Sequence, residues 1–317
     1  VPRKSLDKLL DPLVRRHPPH EQDIPHRHPE LLEYRWIRLD VETRGREQQR
    51  QHLYFPHTRV SDVRGIELRD RPRARRRTGD VRDLGARGDG EALDTTALQA
   101  AIDACHGAGG GTVLVPAGTY LTAALFLRSH VTLHLEAGAT VLGSPRLEDY
   151  PVEGEDASGE SLRAGLVTAR DAERVAIVGR GTLDGNALAF HDRTRSHIAP
   201  DLERGYTRQR DRFLPEGTVF EHGPLAHGPR PGNLVRFDRC KDVLLHGVTL
   251  QNSPTWTSHY RDCESVTIEA VRINSDASDR MVPNDDGIDL TRCRDVRILG
   301  CDIDTGDDCI ALFEVQG

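Results

Sequence analysis

With 317 residues, 29 glycines, 18 prolines and only 5% aromatic residues, the chain is long enough for a sizeable core and reads as a turn-rich β protein rather than a helical one. Its six cysteines form no CxxC pair, and no run of about 18 apolar residues occurs, so neither a zinc or compact disulfide framework nor a membrane span is expected. The formal charge of −7 is uneven: residues 1–79 carry 19 Lys+Arg against 12 Asp+Glu, leaving 24 against 38 for the rest.

That shift divides the chain into an extension, 1–79, and a domain, 80–317. The extension is rich in Arg, His and Pro and is expected to be poorly ordered, although LLEYRWIRLDV (31–41) could form a strand or edge element. RPRARRR (71–77) has the charge to attract nucleic acid, but no aromatic residue is interleaved, so a solvated linker is the better reading and no nucleic-acid partner is expected. His26 and His28 form an HxH without a third ligand nearby, and no metal is assigned to them. The start of the chain has basic residues but no continuous apolar segment, so no signal peptide is visible.

Regular structure begins at residue 81. VRDLGARGDG reads as a strand and a Gly-rich turn, followed by a helix over 96–106 with Asp94 or Thr95 as N-cap. Ala97, Leu98, Ala101, Ile102 and Cys105 fall on one face, and Gly107 lies just past the end. The following Gly109–Gly111 run comes after a helix rather than before one, which fits a turn and not a phosphate cradle.

From there the sequence reads as short strands and turns, and one phrase returns. DAERVAIVGRGTL (171–183), DRCKDVLLHGVTL (238–250), RDCESVTIEAVRI (261–273) and TRCRDVRILGCDI (291–303) are read as aligning without gaps. The last three start 23 and 30 residues apart, the longer step accommodating the loop SDASDRMVPNDD. Each copy buries its apolar positions against the next, which predicts an all-β fold, a right-handed parallel β-helix with an N-terminal capping helix. Cys240, Cys263 and Cys293 recur at one place in the phrase and read as small buried apolar residues. Residues 186–232 interrupt the repeat with an Arg/His/Pro-rich excursion that could wall a groove and bring positive charge to an acidic ligand.

Two acidic clusters, Asp285/Asp286 and Asp307/Asp308, stand at the end of the repeats, with 22 residues between Asp286 and Asp308. One coil of that length would stack them on one face, with carboxylates some 5 to 10 Å apart, as glycoside hydrolysis requires. Crowding of like charges would raise at least one carboxyl pKa, leaving a protonated acid beside ionised neighbours. Asp307 and Asp308 are adjacent and can share a site only at a bend, which Gly306 permits. Calcium binding is the rival reading. DIDTGDD resembles an EF-hand start, but Gly306 falls one place early and Phe313 stands where the bidentate Glu belongs. Turn-capping by the Asp side chains is the third.

DLGARGDG, GGGTVLVPAGTY, LEAGATVLGS, GRGTLDGN (179–186), NSPTW (252–256), NDDGID and TGDDCIAL together give residues 81–317 a resemblance to glycoside hydrolase family 28, the polygalacturonase family of the pectin lyase-like superfamily. The family's usual NTDG is here Asn284-Asp285-Asp286-Gly287, and its second motif is Gly306-Asp307-Asp308-Cys309. The resemblance implies that Asp307 is the general acid and that Asp286 and Asp308 activate water in an inverting hydrolysis of α-1,4-galacturonosyl linkages. It also implies that Asn284, with Asp285, Trp256 and His259, binds substrate. No cofactor is expected, and the implied partner is an acidic polysaccharide, pectin or galacturonan, acted on by a monomer away from membranes. An extracellular or periplasmic setting is implied as well. The family continues with Gly-His-Gly and Arg-x-Lys motifs, whereas this sequence stops at Gly317, so a truncated enzyme lacking C-terminal coils, with turnover not assured, is the expectation. The alternatives are a calcium-dependent pectate lyase-like β-helix and a noncatalytic carbohydrate-binding or tailspike-like protein.

Overall fold

A strand that buries alternate side chains must repeat its apolar positions every second residue, and strands stacked in parallel must keep those positions in register. The computed structural model shows this directly; it describes residues 38–41, 77–155, 161–196, 225–274 and 282–313, all within the unit Trp36–Gly317. Val175, Val243, Val266 and Val296 pair in one column, and Ile177, Leu245, Ile268 and Ile298 in a second. All eight side chains are at most 1% exposed. Leu183, Leu250, Ile273 and Ile303 form a third column around the next corner.

The coil has three sides. One is built from Arg77–Asp80, Gly111–Val115, Val131–Leu135, Glu173–Gly179, Lys241–His246, Glu264–Glu269 and the first part of Arg294–Asp304. The second runs from Asp89–Leu93 through Gly118–Thr122, Ala139–Gly143, Thr182–Asp184, Thr249–Gln251 and Arg272–Asn274 to the end of Arg294–Asp304, which turns the corner and joins the two sides into one sheet. The third is a six-stranded sheet of Leu125–Leu127, Val167–Arg170, Val235–Asp238, Ser258–Arg261, Ile288–Thr291 and Ile310–Phe313. Every pairing along these three sides is parallel, as a β-helix requires.

The gapless alignment of the phrases fails at one place. Val178 pairs with His246, 68 residues on, but Thr182 pairs with Thr249, 67 residues on, so the first copy carries one extra residue in its Gly179-Arg180-Gly181 corner. The later copies keep constant offsets across that corner. Gly179 is needed there for two reasons. Its φ is +121°, and a Cβ would stand 2.0 Å from the carbonyl oxygen of Leu135. Gly179→Ala should therefore destabilise the fold by about 3 kcal/mol or more, read as a lower midpoint in urea unfolding.

The helix spans Thr95–Gly107 and buries Leu98, Ala101, Ile102 and Cys105, with Gly107 its last residue rather than the one beyond. Asp94 sits at the N-cap without capping: its carboxylate accepts from the backbone N–H groups of Arg87 (2.8 Å) and Gly88 (3.0 Å). The helix covers the first edge of the third sheet. Gln99 accepts from Phe126 N (2.8 Å) and donates to Phe126 O (3.1 Å), satisfying backbone groups that would otherwise be exposed on the edge strand.

Arg38–Val41, inside the expected extension, forms a strand paired in parallel with residues 297–301, within the patch singled out from sequence. The HxH, most of the RPRARRR run and residues 197–224 of the excursion lie outside the described residues. Cys240 and Cys263 are buried and Cys293 half-buried, stacked at one corner and free, as small apolar residues would be.

Candidate active site

The two acidic motifs immediately precede neighbouring strands, Ile288–Thr291 and Ile310–Phe313, whose residues pair Ile288 with Ile310 and Asp289 with Ala311. The ladder continues into the motifs, because Gly287 N donates to Asp308 O (2.8 Å) and Ile288 N to Cys309 O (3.0 Å). The clusters are thus one coil apart, as the spacing predicts. Asp286, Asp307 and Asp308 each present an oxygen within 4.8 Å of the others, close enough to hold one water between them and equally near for a cation.

Their surroundings differ. Asp286 is buried, Asp307 half-buried and Asp308 exposed. Burial, followed by the charge of Asp307 and then those of Asp308 and Asp285, pushes the Asp286 carboxyl up to about 6. The expected raised carboxyl is present, in Asp286.

Gly306 plays a different part from the one expected. It is absent from the residues at positive φ, so the bend needs no left-handed glycine. What it needs is space: a Cβ at 306 would lie 2.9 Å from both carboxylate oxygens of Asp285. Asp285 is 0% exposed and its Oδ2 accepts from Gly306 N at 3.0 Å. The side chain expected to touch substrate is turned into the protein.

Asn284 is exposed, at φ +60°, and its Oδ1 accepts from Arg230 Nη2 at 3.0 Å. Arg230 Nη1 also donates to Pro254 O (2.7 Å) and Pro283 O (2.9 Å), linking three chain segments around the first motif. Arg230 closes the Arg-rich excursion, so at this residue the expected positive charge does reach the site. No motif marked it in the sequence.

His259 is buried on the strand beside Asp289, with Nε2 3.0 Å from Thr291 Oγ1 and its ring edge-on to Trp256 at 5.1 Å. Burial, aided by the Arg236 charge, lowers its pKa to about 4 and keeps the imidazole neutral. Trp256 stacks on Phe313 at 5.3 Å, so one face of the indole is already covered. His259 thus neighbours Asp289, and Trp256 lies against the strand that follows the second motif.

Asp289 received no role from sequence. Ile288 and Leu290 face the core, so alternation places Asp289 outward beside His259, a position the sequence pattern could have revealed. The carboxyl is 0% exposed and neither oxygen has a hydrogen-bond partner. Burial first, then the charges of Asp286, Asp308 and Asp307, raise it to about 8.

A sequence profile of glycosyl hydrolases family 28 matches residues 217–316, and one of rhamnogalacturonase A/epimerase, pectate lyase-like proteins matches residues 79–151. The chain is 31% identical over 242 residues to a probable polygalacturonase of Vitis vinifera, covering 73% of this chain and 43% of that protein. It is 28% identical over 251 residues to an exo-poly-alpha-D-galacturonosidase of Dickeya chrysanthemi, covering 73% of this chain and 41% of the other. Among solved structures it resembles a hyperthermoactive exopolygalacturonase from Thermotoga maritima, with a TM-score of 0.58 and 35% identity over 74% of this chain and 54% of that one. The chain spans about half the length of these relatives or less.

Proposed function

Because the chain belongs to glycosyl hydrolases family 28, we propose that it hydrolyses α-1,4-galacturonosyl linkages of pectin, acting as a monomer on this acidic polysaccharide. The observation that carries the reading is the trio Asp286, Asp307 and Asp308, with oxygens within 4.8 Å and one member holding a proton up to about pH 6. A protonated carboxyl beside ionised carboxylates supplies an acid for the leaving oxygen and a base for water in one place. Asp307, half-buried, is the acid that meets the glycosidic oxygen; Asp286 and Asp308 hold the water. The proton resides on Asp286 in the free protein because that site is driest, and passes within the trio as substrate displaces water from Asp307.

The alternative stereochemistry is retention, in which a carboxylate attacks the anomeric carbon in place of water and forms a covalent intermediate. Proton NMR of the first product from an oligogalacturonate distinguishes the two: β-anomer signals inversion and α-anomer retention. Reducing ends should appear without unsaturated, ultraviolet-absorbing products and without loss to chelator; the opposite pattern would support the lyase alternative. The rate should fall about tenfold per pH unit above about 6, as the trio loses the proton held on Asp286. A flat rate from pH 5 to 8 would count against the assignment.

A further inference from the structure

The two acidic motifs are clamped to each other from both directions. Gly287 of the first donates its N–H to the Asp308 carbonyl at 2.8 Å. Gly306 of the second donates its N–H to the Asp285 carboxylate at 3.0 Å. Neither glycine has room for a Cβ, which at 287 would stand 2.5 Å from Cys309 O and at 306 would stand 2.9 Å from each Asp285 oxygen. Asp286, Asp307 and Asp308 lie between the two fastenings, so their mutual placement depends on both. The first fastening is backbone ladder and is independent of side chains. The second depends on one fully buried carboxylate at a place where the related motif usually has threonine.

We propose that Asp285 is a positioning residue, whose carboxylate holds the Gly306–Asp308 turn against the first motif and so sets the spacing of the three reacting carboxylates. The inference rests on the hydrolytic reading of that trio. Asp285 makes no contact with the saccharide; it acts through the Gly306 amide. A carboxylate accepts more strongly from a buried N–H than a neutral oxygen does, which suits a turn carrying two further negative charges that repel it.

Two variants test this: Asp285→Ala removes the acceptor, and Asp285→Asn retains a neutral one. Asp285→Ala should lower kcat roughly 10- to 100-fold with KM little changed, since misplacing reacting groups by about 1 Å has effects of that size. Asp285→Asn should recover most of that loss, because its carbonyl oxygen can still accept from Gly306. In 15N-labelled protein without ligand, the Gly306 amide should lose hydrogen-exchange protection in Asp285→Ala and keep much of it in Asp285→Asn. A rise in KM at constant kcat would show instead that Asp285 contacts substrate, and an unchanged Gly306 amide in Asp285→Ala would overturn the clamp. Should the parent show no hydrolysis, the function above fails while the Gly306 amide still decides the clamp.

Discussion

Asp307→Asn is expected to lower kcat on polygalacturonate by roughly 10²- to 10⁴-fold, the usual contribution of a positioned general acid. The loss should depend on the leaving group. An aryl galacturonide with a good leaving group needs little protonation, so Asp307→Asn should retain most of its activity there. Asp286→Asn and Asp308→Asn should lose activity on both substrates, because water must be activated in either case. The comparison also resolves which carboxyl delivers the proton: the raised pKa belongs to Asp286, while the more accessible position belongs to Asp307. If Asp286→Asn, and not Asp307→Asn, is spared on the activated substrate, the roles are exchanged.

Stability should fall as pH rises from about 4 to about 8, and Asp289→Asn should abolish much of that fall. The Asp289 carboxyl goes from an ordinary value of 3.8 to about 8 in the folded chain. Between those values the folded state binds the proton and the unfolded state does not, so each pH unit favours unfolding. The contribution is present in full below about 4, declines through neutrality, and is lost by about 8; its total is on the order of several kcal/mol. Asp286 acts in the same direction over a narrower window, ending near 6. Asparagine cannot ionise, but its amide inherits a place with no hydrogen-bond partner, at about 1–3 kcal/mol. The variant should therefore be the less stable protein near pH 4 and the more stable one near pH 8, with the two curves crossing between. Urea unfolding across that range checks it, and a constant offset at every pH would rule out ionisation of Asp289 as the cause. A carboxyl kept at such expense next to three others is typical of a site where charge is arranged for chemistry.

Much of the fold was legible because a β-helix writes its geometry into one dimension. Val243, Val266 and Val296 recur in the sequence at the intervals at which they stack, and no long-range guess is needed to align them. The extra residue at Gly179–Gly181 was missed because both copies end in the same Thr-Leu, which hides an insertion in the corner. The trio was legible for the same reason as the columns: a 22-residue step is one coil.

The sequence by itself determined the stacked apolar columns, the capping helix and the meeting of Asp286 with Asp307 and Asp308, since each depends on period and spacing along the chain. Only the tertiary structure decided which way individual side chains turn at the corners. Asp285 and Asp286 are adjacent and chemically identical, yet one is folded under the Gly306 turn and the other joins the trio. That choice is made by the space left beside a glycine one coil away. Arg230 reaches Asn284 across 54 positions for a similar reason: contacts between corners depend on how far each loop leans out, a quantity that no local pattern of residues encodes.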